Sequence, residues 1–275
     1  MSMALERGGL PEIDLQLFTT NPAEARRAVA TGMTAFIVDW EWRGKQDRQS
    51  GFDTEINRGS VADLVRLAGV AGSRRICRLN RYGPWTPEEV EAAVAGGATQ
   101  LLLPMVERPA EVEAYLRLLR GRARAGILVE TGAACRCASD LAAFGLDAVY
   151  VGLNDLAISR GTPCIFTALV DGTVERLREI FAATPFGFGG LTVLDLGCPV
   201  PCLRLLEEMA RLRTSFSFLR RSFRRDIVGR DAAAEVAQIQ RTWRALLSRE
   251  SAEEVRDHGR LVEAVSRASA VAASA

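Results

Sequence analysis

Eight short segments rich in β-branched and aliphatic residues recur along the chain with helical sequence between them, and this alternation constrains the fold more than any other feature. The segments are 13–19 (IDLQLFT), 35–41 (AFIVDWE), 75–80 (RICRLN), 100–106 (QLLLPMV), 126–131 (GILVET), 148–153 (AVYVGL), 187–193 (GFGGLTV) and 215–221 (SFSFLRR). Strands joined by helices make parallel βαβ units, because a parallel pair needs a long crossover that a helix supplies. Eight such units fit a closed (β/α)8 barrel, the TIM-barrel class of α/β folds, better than an open doubly wound sheet. No G-x-G-x-x-G follows the first segment and no G-x-x-x-x-G-K-[ST] occurs, so the common nucleotide-binding folds lack their main signal.

The helices carry their own punctuation. Asn21-Pro22-Ala23-Glu24 and Thr86-Pro87-Glu88-Glu89 each place a capping side chain before a proline, with Glu at the third helical position. Ser60-Val61-Ala62-Asp63 is a weaker capping box, and Gly32 and Gly96-Gly97 are stop signals. Val112, Tyr115, Leu116 and Leu119 repeat at helical spacing and form one apolar stripe. Past residue 224 the chain reads as helix over 232–249 and 251–273. The expectation is one barrel domain over 1–275. Its segment 226–275 is a helical extension lying either on its own barrel or against a neighbouring subunit of a homo-oligomer.

Composition narrows the function classes. With 275 residues, 48% of them hydrophobic, the chain can bury one large core, and a formal charge of +1 calls for no nucleic-acid partner. No run approaches the roughly 20 apolar residues of a membrane span, and the start has no leader-like stretch, so a cytoplasmic protein is expected. The six cysteines do not form the paired C-x-x-C sets of a structural zinc site and read as reduced thiols. Lys45 is the only lysine and His258 the only histidine. A Schiff-base lysine should sit on a strand, whereas Lys45 falls in the polar loop 43–57, which reads equally as a lid or as a solvated loop. His258, on the last helix, reads as a surface residue.

Barrel active sites form where strands end at their C-terminal face. Strand two ends Asp39-Trp40-Glu41-Trp42, with both carboxylates on one face and both indoles on the other; strand three ends Arg78-Leu79-Asn80-Arg81. Strand five ends Val129-Glu130-Thr131-Gly132, and strand six runs Val151-Gly152-Leu153-Asn154-Asp155. Charges at the ends of apolar strands cost desolvation unless compensated. Glu130 and Asp155, on neighbouring strands, are two hard oxygen donors of the kind that hold Mg²⁺ or Mn²⁺, with other divalent metals open. Arg78 would hold a carboxylate or an enolate oxygen. A structural Arg–carboxylate cluster is the plainer alternative. Arg220 and Arg221, ending strand eight, are candidates for phosphate or CoA contact, or else a solvated cluster. Gly187–Gly190 with Asp195 would shape the site's floor, or serve only close packing.

At these residues the sequence resembles the HpcH/HpaI aldolase and citrate lyase β-subunit family of phosphoenolpyruvate/pyruvate barrels. The resemblance spans roughly residues 30–195 and rests on VDWE (38–41), CRLN (77–80), AGGATQLLLPMVERPAEVE (95–113), ILVETGAA (127–134) and LDAVYVGLNDLAISRG (146–161), in family order. It implies a metal on Glu130 and Asp155, a pyruvate-like 2-oxo acid as ligand, and Arg78 on the reacting oxygen. It also implies that backbone amides around Gly152, Leu153, Asn154 and Asp155 hold the substrate carboxylate. The second substrate would be an aldehyde for the aldolases or an acyl thioester for the lyases. The sequence departs from the aldolases at Trp42, where they carry a His paired with the strand-two acid, and at Leu128, where they often carry Gln. Asp39 or Glu41 is then the candidate for proton transfer. Three readings stay open: a 2-oxo acid aldolase, a citryl- or malyl-type acyl-CoA lyase or synthase, and a barrel that binds ligand without turnover.

Overall fold

The computed structural model describes residues 11–43 and 59–273. Lys45 and most of the 43–57 loop lie outside that range. Eight strands close into a barrel in sequence order: β1 (Asp14–Phe18), β2 (Ala35–Asp39), β3 (Arg74–Arg78), β4 (Gln100–Leu103), β5 (Arg124–Val129), β6 (Ala148–Val151), β7 (Phe186–Phe188) and β8 (Phe216–Phe218). Every neighbouring pair is parallel, and β1 closes on β8 with Asp14 opposite Phe216. Each of the eight segments expected from sequence overlaps one strand, though 187–193 shares only Gly187 and Phe188 with β7.

Several strands are shorter than their apolar runs. β4 stops at Leu103 because Pro104 offers no N–H and Met105 turns into the left-handed region at φ 53°. β7 stops before Gly189, at φ 62°.

Period-two alternation divides the apolar residues into two cores. Ile37, Ile76, Leu102, Leu128, Tyr150, Phe216 and Phe218 point into the barrel, while Phe36, Val38, Cys77, Leu101, Leu103, Ile127, Val129 and Val151 face the helices. Each large side chain buried this way contributes about 1.5–3 kcal/mol, so a one-residue slip of any strand would invert its contribution.

The helix starts follow the sequence with one correction. The Asn21 side chain accepts from the amides of Ala23 and Glu24, and Asp63 accepts from the Ser60 amide at 2.7 Å. Thr86, by contrast, is not a cap but the first residue of the helix Thr86–Ala95. Its hydroxyl accepts from Gly83 N–H at 2.9 Å, which closes the preceding turn.

The helices Ala232–Leu247 and Ser251–Ala273 pack on the helix Cys202–Arg211. Gln240 exchanges two hydrogen bonds with the backbone of Ile13, fastening the first of these helices to the start of β1. His258 is half-buried rather than a free surface residue, because its Nδ1 lies 3.0 Å from Glu208. The six cysteines are unbridged, and among the described residues no helix is long and apolar enough to cross a membrane.

Candidate active site

The site is the next inward layer above the barrel's apolar residues. Two positions beyond Ile37, Ile76, Leu128, Tyr150 and Phe218, the same alternation presents Asp39, Arg78, Glu130, Gly152 and Arg220. All five line a cavity of about 430 Å³ at the C-terminal ends of the strands, together with Leu153, Asn154, Asp155, Phe166 and Arg221. Stacked Tyr150 and Phe218, with ring centroids 3.6 Å apart, and Phe18, edge-on to Phe218, form its apolar part.

Arg78 lies at the centre of the acidic wall. Its Nε and Nη2 donate to the two oxygens of Asp39 at 2.9 and 2.7 Å, a bidentate pair. Its Nη1 lies 3.3 Å from Glu41. Burial works to lower the pKa of this guanidinium, but Asp39 and then Glu41 outweigh it and hold it well above its ordinary value. Asp39 also accepts from the Glu41 amide at 3.0 Å, which ties the two acids of strand two together. Glu41 is fully buried and, unlike Asp39, does not line the cavity.

Glu130 is 3% exposed. Burial, then the charges of Asp155 and Glu41, push its carboxyl well above the usual carboxylate range, against the opposing pull of Arg78 and the Met105 amide. That amide donates to Glu130 at 3.2 Å from a residue held in the left-handed region, a conformation that costs energy outside glycine and here aims an N–H at a buried acid. The opposite side of Glu130 rests on Gly152. A Cβ there would lie 2.2 Å from the carboxylate oxygen, so any larger residue would force the Glu130 side chain out of this position. Asp155 sits buried in the first turn of the helix Leu153–Arg160, whose N-terminal residues line the cavity.

Asp39, Glu41 and Glu130 thus all act on the Arg78 guanidinium, and Asp155 acts on Glu130, so that four buried carboxylates gather on this wall. This excess of acid, together with two hard oxygen donors, one just past β5 and one in the helix that follows β6, fits a divalent cation held by Glu130 and Asp155. Among the described residues no group of three or more His, Cys, Asp or Glu is placed to hold a metal ion, so a cation here would have only two protein ligands and would need water and substrate for the rest.

A second network sets the position of the acidic turn. Asn80, 1% exposed, accepts from the amides of Trp42 and Arg43 at 3.0 and 2.8 Å. It is in turn gripped by Glu89, which accepts from its Nδ2 at 2.7 Å and its amide at 3.2 Å. Burial raises the Glu89 pKa, against the hydrogen bonds from Asn80. Arg43 lies over the rings of both Trp42 and Trp85, at 4.5 and 4.7 Å.

Asn80 therefore holds the turn after β2 and does not line the cavity. Nor does Asp195, which is exposed and paired with Arg230 at 3.0 and 3.1 Å, so the expected floor of Gly187–Gly190 with Asp195 reduces to Gly189 and Gly190. Gly187 packs against the Phe216 carbonyl. Sequence reading missed Met105, Glu89 and Phe166. A left-handed Met after a proline and a Glu that abandons its capping role leave no periodic trace, and Phe166 comes from the β6–β7 connection.

No family model matches the chain, and no curated protein matches it. Solved structures do. An HpcH/HpaI aldolase/citrate lyase family protein from Burkholderia cenocepacia is 15% identical, over 86% of this chain and 95% of that one, with a TM-score of 0.58. An HpcH/HpaI aldolase from Desulfitobacterium hafniense is 14% identical over 88% and 95%, also at 0.58. A citrate lyase beta subunit from M. tuberculosis, complexed with oxaloacetate and magnesium, is 17% identical over 86% and 98%, at 0.55. The fold of this chain is accordingly the barrel shared by solved HpcH/HpaI aldolase and citrate lyase family proteins.

Proposed function

We propose that the chain is a divalent-metal-dependent carbon–carbon lyase that acts on a small 2-oxo acid through its enolate. The observation that supports this reading is the acidic side of the inward layer, where Asp39, Glu130 and Asp155 border the cavity beside Arg78 and two of them are placed as hard oxygen donors. The similar barrels add weight, since one of them was solved with oxaloacetate and magnesium.

Glu130 and Asp155 would hold the cation, which supplies Lewis-acid polarisation of the 2-oxo carbonyl when bound. The substrate carboxylate is assigned to the start of the helix Leu153–Arg160, where a helix N-terminus favours an anion. In the cleavage direction a proton leaves the 4-hydroxyl group, the C3–C4 bond breaks and the carbonyl product departs. The bonding pair passes into the C2–C3 enolate, and a proton is then returned to C3. Arg78 has five N–H donors, of which Asp39 takes two; the others serve Glu41 and the developing enolate oxygen. Proton transfer is assigned to Asp39 rather than Glu41, because Asp39 borders the cavity.

A citrate-lyase-like reading, in which the second substrate is an acyl thioester, is the alternative. It is favoured by Trp42 in place of an active-site His and by the location of the chain's only histidine, His258, on the C-terminal helix beside Glu208. The deciding experiment is NMR-detected exchange of pyruvate methyl protons in D2O, with Mg²⁺ or Mn²⁺ added and then chelated, in the wild type and in Glu130→Ala. Exchange that needs both the metal and Glu130 is the expected result. Its absence with every metal, in folded protein, sinks the pyruvate reading and leaves the thioester or the non-catalytic barrel.

A further inference from the structure

Successive backbone amides of the turn after β2, those of Glu41, Trp42 and Arg43, donate to side-chain oxygens instead of entering a ladder. The first donates to Asp39 at 3.0 Å. The other two share the Asn80 carbonyl oxygen, at 3.0 and 2.8 Å. Asp39 and Glu41 both face Arg78, at 2.7 and 3.3 Å. The pose of these acids therefore depends on the turn, and the turn depends on which end of the Asn80 amide meets it.

That choice is made on the other side of Asn80. A side-chain amide has an accepting oxygen and a donating nitrogen of nearly the same shape, so packing alone does not distinguish its two orientations. Glu89, in the first turn of the helix Thr86–Ala95, does distinguish them. One of its oxygens accepts from Asn80 Nδ2 at 2.7 Å and the other from the Asn80 backbone N–H at 3.2 Å. A carboxylate offers acceptors only, so it draws the NH2 group to itself and leaves the oxygen for the turn. The reversed amide would set its NH2 group against the N–H groups of Trp42 and Arg43, and its oxygen against Glu89. Burial raises the Glu89 pKa, and the hydrogen bonds from Asn80, then Arg43, oppose that rise. Arg43 Nε is 4.0 Å away, so the closest support of the charge comes from Asn80.

We infer that Glu89 is a positioning residue of the site: as a carboxylate it fixes the orientation of Asn80, and through Asn80 it holds Asp39 and Glu41 in the pose that faces Arg78. Glu89 does not itself line the cavity. What the relay needs from position 89 is two acceptors, not bulk. Glu89→Gln, of the same shape, breaks it, because the new NH2 group meets one of the two Asn80 donors. Exchanging the roles of the two residues repairs it. In the double variant Asn80→Asp/Glu89→Gln, the carboxylate at 80 accepts from both turn amides and from the NH2 group at 89, while the carbonyl at 89 accepts from the backbone N–H of 80.

This inference rests on the proposed function for the reaction but not for the turn, so its test reads both in the full-length chain. Hydrogen exchange of the Trp42 and Arg43 amides, followed by NMR at mildly alkaline pH, reads the turn. Metal-dependent exchange of pyruvate methyl protons reads the site. Asn80→Asp alone sets two carboxylates face to face. It and Glu89→Gln should each speed amide exchange, and slow pyruvate exchange at saturating pyruvate, by about tenfold or more. Mn²⁺ affinity should stay within about threefold of wild type in all variants, because Glu130 and Asp155 lie outside the relay. The double variant should return both exchange rates to within about threefold of wild type.

Wild-type amide exchange in Glu89→Gln overturns the inference, since bulk alone would then suffice. A double variant no better than its single parents overturns it as well, as does a loss of Mn²⁺ binding that parallels the loss of pyruvate exchange. If the wild type exchanges no pyruvate protons with any metal, the lyase reading fails. Amide protection lost in each single variant and regained in the double one then still establishes the relay.

Discussion

Strand β3 points two arginines into the barrel, and they meet opposite fates. Arg74, at the N-terminal end, pairs with Asp14 of β1, and Gln16 donates to the same carboxylate at 2.8 Å. Arg78, one apolar residue further along the inward face, pairs with Asp39 of β2. Arg74 and Asp14 are each about a third exposed, at 31% for both side chains, whereas Arg78 is 12% and Asp39 3% exposed. The lower pair is one base matched with one acid, and it closes that end of the barrel. The upper pair adds three further acids, Glu41, Glu130 and Asp155, against one more base on the layer, Arg220. A layer that only had to hold the barrel shut would resemble the lower one. The excess of buried negative charge at the upper layer is costly to folding and makes sense as a place for a cation and a reacting substrate.

Breaking this contrast should have its largest effect at Glu130. Glu130→Ala should reduce metal-dependent exchange of pyruvate protons by at least about a hundredfold and remove any stabilisation by Mn²⁺ in a thermal melt. A melt that still rises with Mn²⁺ would place the cation elsewhere. Next in size is the stability cost of the upper arginine. Arg78→Met leaves buried acids without their base and should cost about 3–5 kcal/mol in urea unfolding. Asn80→Ala frees the amides of Trp42 and Arg43 and strands Glu89, for a loss of about 1–3 kcal/mol by the same assay. The smallest effect should come from Arg74→Met at the lower layer, about 1 kcal/mol or less, since that pair is partly solvated. Equal losses for Arg74→Met and Arg78→Met would show that the two ends do not differ as described.

The barrel was legible because the apolar segments and their helical spacers follow from backbone periodicity. The strand ends carrying Asp39, Arg78, Glu130 and Gly152 were legible as the site, and the structure sets the four on one inward layer. What stayed hidden depends on contacts between segments. Glu41 shares the face of Asp39 but is covered by Arg78 and lost to the cavity, which no alternation rule anticipates. Glu89 reads as a capping residue and instead grips Asn80. Arg220 and Arg221 are adjacent in sequence, yet Arg220 is a half-buried inward group and Arg221 opens an exposed helical turn. Pairing and exposure of that kind are set by neighbours brought in from distant strands, so a single segment carries no sign of them.

The close fit of Glu130 over Gly152 has a consequence for how such a barrel changes over time. A methyl group at 152 would occupy the space of the carboxylate and drive it out, while every chemically active residue remained encoded. Gly152→Ala would thus displace the buried carboxylate of the proposed metal site, and a survey of reactive side chains alone would not detect it. Among descendants of this chain, position 152 is the one to inspect before an activity is assigned.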